Sequence, residues 1–294
     1  MRAVAAVCAG LLGCASAPAS GPVLVEKAGT YPAGSTKLIR APDVNGAFLI
    51  TASASNLRFN PVTVLEAYRA IETAPGVRVS KMTSIGLRAR ELGRDGIRLR
   101  QADDVMIRDF DLAHRAAPSE GKHLPEGIAI TAGRNITIRD GRVRGFRMSR
   151  REGTYTNGDG IATEGGVDGL LIENVVASDN SDAGFDLKGR NIVLRNLESV
   201  NNSRAYRIWS SSARATSLRA RDFRGAALWV GRDGAITVDR LVASSSTPAP
   251  VFRYESGATI VVKSCDLRGM PRGSKLVQAD GKGGKLELGP GCKL

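Results

Sequence analysis

A chain of 294 residues with 34 glycines, only seven phenylalanines and two tryptophans is long enough for one domain with a substantial core, but suits tight coils better than a bulky globular interior. The formal charge of +13, with no aromatic-rich basic motif, argues against a nucleic-acid binder and leaves an acidic polysaccharide or an anionic envelope surface as the partner. With two histidines and no cysteine cluster of metal spacing, the composition also argues against a zinc site.

Residues 1–17 read as an export signal: Met1-Arg2 gives a charged tip, and the apolar run through Leu11-Leu12 is too short to span a membrane. Leu11-Leu12-Gly13-Cys14 is similar to a bacterial lipoprotein box, which would lipidate Cys14, whereas Ala15-Ser16-Ala17 is similar to an ordinary peptidase site, although Pro18 makes a poor cleavage context. Either way the mature chain is expected outside the cytoplasm, as a periplasmic or outer-membrane lipoprotein or a secreted protein, and as a monomer. Residues 18–93 are expected to cap the open end of the domain and to supply its first coil or coils. Within them Val64 to Glu72 has the spacing of a single helical segment, and Val77-Arg78-Val79 that of an early strand.

From residue 94 to 270 one phrase keeps returning: Asp95-Gly-Ile, Glu126-Gly-Ile, Asp159-Gly-Ile, Ala183-Gly-Phe, Ala205-Tyr-Arg and Ala226-Ala-Leu. Each is followed by a second apolar strand, such as Val105-Met-Ile, Ile136-Thr-Ile or Leu170-Leu-Ile. With Ile97, Ile128, Ile161, Phe185, Tyr206, Leu228 and Phe252 inward, the repeat lengths are 31, 33, 24, 21, 22 and 24 residues. Short alternating strands with Gly, Asn and Asp at the corners, and no sustained helical stripe, predict an all-β solenoid, a right-handed parallel β-helix. The two long periods carry insertions near 113–125 and 146–157, and insertions on one side of a solenoid wall a binding face.

Alternation then places a second column outward: Ala162, Asp186, Arg207, Trp229 and Arg253, with Glu164, Lys188, Trp209, Gly231 and Glu255 two residues on. Trp209 and Trp229 are expected on the exposed sheet as platforms for sugar rings, with Arg253 beside them and the loops around His114 and Tyr155 as one wall. Asp159, Asp182 and Asp186 come from adjacent coils, and such hard oxygen ligands suit Ca²⁺; each is also an ordinary turn residue or ion-pair partner. In the tail, residues 271–294, Cys292 is expected to pair with Cys265, a disulfide suited to an oxidising compartment.

Gly158-Asp-Gly-Ile-Ala followed by Asn180-Ser-Asp-Ala-Gly-Phe-Asp-Leu-Lys188 resembles the family-nine pectate lyases over about 50 residues. The resemblance implies that Asp159, Asp182 and Asp186 hold a catalytic Ca²⁺, with Ala183 where the family has a fourth Asp. It implies a base one coil later, at Arg207, where the family has Lys; Lys188 is the reserve candidate. The implied reaction is β-elimination on a uronate polymer. Two alternatives stand beside it. Asn157-Gly-Asp159 with Asp182 resembles the carboxylate spacing of polygalacturonase-type hydrolases, although their Gly-His-Gly is absent. A non-catalytic acidic-polysaccharide-binding envelope protein would also keep the corners of the fold without the reaction.

Overall fold

The computed structural model describes residues 19–33, 38–41, 46–120, 124–149 and 156–294. Every regular element among them is a strand, and every strand pairing is parallel, giving a parallel β-solenoid of about ten turns. The export signal with Cys14, together with His123 and Tyr155, lies outside the described residues.

The inward column holds the structure together. Ile71, Ile97, Ile128, Ile161, Phe185, Tyr206, Leu228 and Phe252 are register partners from coil to coil, and all are fully buried. Each such side chain contributes on the order of 1.5–3 kcal/mol relative to exposure. Phe185 and Tyr206 stack with centroids 5.3 Å apart. The buried Tyr206 hydroxyl lies 2.9 Å from the Leu197 carbonyl and 2.8 Å from that of Arg219, so its single proton always has an acceptor.

Asn and Asp turn the corners because their short polar side chains tolerate left-handed backbone. Asp109, Asp140, Asn174 and Asn196 all have φ between 50° and 55°. The last three form a ladder in which Asn174 donates to the Asp140 carboxylate at 3.0 Å and Asn196 donates to the Asn174 carbonyl oxygen at 2.9 Å.

The helical reading of Val64 to Glu72 is corrected: strands Val62–Leu65 and Arg69–Thr73 occupy this stretch, with Glu66 at φ 58° turning the corner between them. Val64, Ala67, Ala70 and Ile71 are all buried, and a corner spaces them as a helix turn would. Coils therefore run upstream of Val77, since Val23–Val25 already pairs with Gly46–Ile50 and that strand with Arg69–Thr73. At the other end Lys275–Ala279 and Lys285–Leu288 add further strands to the stack. A disulfide joins Cys265 to Cys292 across Cα atoms 4.7 Å apart.

Candidate active site

Two columns on one outer face gather most of the charged and aromatic chemistry. The first follows the recurring phrase: Arg69, Asp95, Glu126, Asp159, Ala183 and Arg204 occupy successive coils, about 4.8 Å apart. The second, three residues on, reads Arg98, Ala129, Ala162, Asp186, Arg207, Trp229 and Arg253.

In the first column three carboxylates follow one another. Asp95 is fully buried and neutralised by Arg69 at 2.7 Å, with Arg94 and Arg98 each 3.7 Å away. Its Oδ1 accepts the Glu126 backbone N–H at 3.2 Å. Glu126 meets Arg98 at 3.2 Å, yet burial, reinforced by the Asp95 charge, pushes its carboxyl up to about 7. Asp159 is raised well above the carboxylate range by burial and by the charges of Asp186 and Glu126, while its Oδ1 accepts the Ala183 N–H at 2.8 Å. Beside Glu126 lies a small cavity of about 120 Å³ walled by Arg94, Arg98, Ala129, Ala162 and Glu164.

In the next coils arginine takes over. Arg204 pairs with Asp182, and Arg207 stands 3.3 Å from Asp186 and 3.8 Å from Asp182. Burial raises the Asp186 carboxyl, and the opposing Arg207 charge only partly offsets it. Lys188 is hydrogen-bonded to both oxygens of Glu164, at 2.9 and 3.1 Å. Burial pulls its ammonium down, but the bonds to Glu164 and the charge of Asp186 outweigh it and leave Lys188 raised. Lys188, Arg207, Trp209 and Arg232 line one open cleft of about 590 Å³, with Gly165 and Gly189 leaving its floor low.

The expected tryptophan pair divides. Trp209 faces the cleft with the Arg207 guanidinium 4.7 Å from its ring centroid, and a Cβ at Gly231 would overlap the ring, which only glycine admits there. Trp229 is only 7% exposed, contrary to the expectation of an open platform. The guanidinium groups of Arg204, Arg207 and Arg253 surround its ring at 4.6, 5.1 and 4.0 Å, so the long side chains of neighbouring coils cover it. Arg253 is in turn bound to Asp280. His114 is likewise no wall residue. It is buried against Phe146, with Nδ1 3.0 Å from the Arg115 carbonyl and Nε2 3.0 Å from Ser119 Oγ, and burial lowers its pKa to about 4.

The carboxylates expected to hold Ca²⁺ are not arranged as a ligand set. Asp182 and Asp186 face guanidinium groups, Asp159 serves a backbone N–H, and no three acidic, His or Cys side chains gather around one point among the described residues. A cation would have to displace Arg204 and Arg207, so these residues do not fit the ion as they stand.

The structure thus brings together Lys188, Arg207 and Trp209 with Asp186 beneath, and places Trp229 and Arg253 alongside. Glu126, Arg98, Arg204 and Arg232 were not among the expected site residues. The signal for Glu126 lies in the repeated phrase itself, where Asp95, Glu126 and Asp159 hold the same slot, of which only Asp159 is among the expected site residues. A cavity of about 810 Å³ lies at the C-terminal end between Arg240, Arg268, Met270 and Arg272, apart from these columns.

No protein-family model and no curated protein matches the chain. Among solved structures it is similar to an endo-xylogalacturonan hydrolase from Aspergillus tubingensis, with a TM-score of 0.52, 12% identity, and coverage of 91% of this chain and 85% of that one. At that identity the likeness is one of fold alone.

Proposed function

We propose that this protein binds a uronate-bearing polysaccharide along the face built by these two columns and hydrolyses it. The observation that carries the reading is the 590 Å³ cleft of Lys188, Arg207, Trp209 and Arg232. An indole offers a flat apolar surface to a sugar ring, and the three cations of the cleft, Lys188, Arg207 and Arg232, which outnumber its one acid Asp233, favour a ring that bears a carboxylate. The β-helix protein of similar fold is a hydrolase of an acidic polymer, xylogalacturonan, which fits the same substrate class.

Hydrolysis is supported over elimination by which groups can move protons. Arg207 faces Asp186 and Asp182 and, as an arginine, does not give up its proton, while the bonds to Glu164 hold Lys188 raised, so both are suited to holding a substrate carboxylate. The proton-carrying groups of this face are carboxyls lifted by burial, the kind of group from which glycoside hydrolysis is assembled. β-Elimination is the second reading, favoured by the position of Arg207 one coil beyond Asp186 and by cations able to neutralise a uronate carboxylate. Export, with Cys14 as lipid anchor or lost with the signal, belongs to the same proposal, and the Cys265–Cys292 disulfide supports an oxidising compartment.

The test is incubation with polygalacturonate, alginate and, as a neutral control, amylose, following new reducing ends and the ultraviolet absorbance of unsaturated uronate. Reducing ends without absorbance are expected on an acidic polymer. Absorbance would establish elimination instead, retention on an acidic-polymer gel without cleavage would leave a binding protein, and failure to bind any acidic polymer would overturn the reading.

A further inference from the structure

We propose that Glu126 is the catalytic residue that protonates the departing glycosidic oxygen, from the notch between Arg98 and Glu164. This rests on the reading of the face as one that cleaves a polysaccharide, and adds the position of the reacting bond.

Asp95 is fully buried and tied to Arg69. Asp159 and Asp182 are only 2% and 1% exposed, the first bound to the Ala183 N–H and the second to Arg204. Asp186 lies beneath Arg207. Glu126 is itself met by Arg98 at 3.2 Å, but it lines the 120 Å³ cavity, and its side chain is 13% exposed against 9% for Asp186. The second column is narrowest there: Ala129 and Ala162 stand where the flanking coils carry Arg98 and Asp186. Two short side chains in succession leave a notch over Glu126.

The notch and the cation–tryptophan cleft share one groove. Glu164 walls the notch and is bonded to Lys188, which lines the cleft one coil further on. Glu126 stands three coil steps, about 14 Å along the axis, from Trp209, so a chain whose uronate sits on Trp209 would bring to the notch a linkage further along the polymer. There the bond from the anomeric carbon to the glycosidic oxygen breaks, its electron pair passing to the oxygen, which takes the Glu126 proton. A water oxygen bonds to the anomeric carbon and gives its proton to the Glu164 carboxylate, and exchange with solvent restores both groups. Burial and the Asp95 charge keep the proton on Glu126 up to about pH 7, so activity should fall above that pH.

The test compares wild type with Glu126→Gln, and with Glu126→Asp should the glutamine variant fail to fold by circular dichroism. Two substrates are used: polygalacturonate and a 4-nitrophenyl uronide, whose leaving group needs no proton. On the polymer kcat should drop about 10²–10⁴-fold with KM within about threefold, and the fall above pH 7 should vanish. On the nitrophenyl uronide the loss should be less than about tenfold, which a merely structural role would not produce. Equal losses on both substrates, or an unimpaired polymer activity, would overturn the assignment of Glu126 while leaving the function reading intact. A folded wild type that cleaves no acidic polymer would overturn both.

Discussion

Replacing Arg207 by alanine should unsettle the fold as well as the cleft. The guanidinium is 3.3 Å from the Asp186 carboxylate, and the two side chains are 16% and 9% exposed. At an effective dielectric of about 20 their gross attraction is about 5 kcal/mol. The residual water contact, and the ability of Asp186 to take up a proton once alone, reduce the net loss to about 3 kcal/mol at pH 8. The sign of its pH dependence follows from Asp186, whose carboxyl burial already holds above the usual range and which deletion of Arg207 raises further. Between the ordinary carboxylate pKa of about 4 and this raised value the folded state binds the extra proton, so stability falls as pH rises through the window. The cost of Arg207→Ala should therefore be largest above the raised pKa and shrink towards pH 4. Urea unfolding of wild type, Arg207→Ala, Asp186→Asn and the double variant at pH 8 and pH 5 measures it. The double variant should recover at least half of the single-variant loss at pH 8. A loss below about 0.5 kcal/mol, equal at both pH values, would refute the claim that Arg207 neutralises a buried carboxylate.

Gly231→Ala should push the Trp209 ring off its seat, because the added methyl overlaps it; a shift in tryptophan fluorescence and roughly tenfold weaker binding of an oligo-uronide, about 1.4 kcal/mol, are expected by titration. Cys292→Ser opens the disulfide that spans 27 residues of sequence, which the chain-entropy relation values at about 3–4 kcal/mol; hydrogen exchange over the last coils should quicken while the central coils stay protected. A chelator should leave cleavage unchanged, since Arg204 and Arg207 stand where a cation would have to bind; activity lost to chelator and restored by added Ca²⁺ would show that Asp182 and Asp186 can exchange their arginines for an ion.

The register of this solenoid was legible because it is written twice, in the period of two along each strand and in the recurring phrase between coils. Ile161, Phe185, Tyr206, Leu228 and Phe252 are inward register partners in the structure, as alternation requires. Val64 to Glu72 misled because the buried residues on either side of the Glu66 corner fall three and four apart, a spacing that helix and corner share. For the outward residues alternation gives only the direction of the first bond, and what lies over a side chain depends on the neighbouring coils. Trp229 points outward and is nonetheless covered, because Arg204, Arg207 and Arg253 are long enough to fold over it. The same limit decided the acids. Asp182 and Asp186 look like ligands when read alone, but the coil after them supplies Arg204 and Arg207 within reach, and an arginine that fills a carboxylate pair changes what the pair can do. Glu126 also meets an arginine, Arg98 at 3.2 Å, but alanines follow it in the adjacent column and leave it beside a cavity: the chemistry of this face turns as much on where the chain withholds a long side chain as on where it places a charged one.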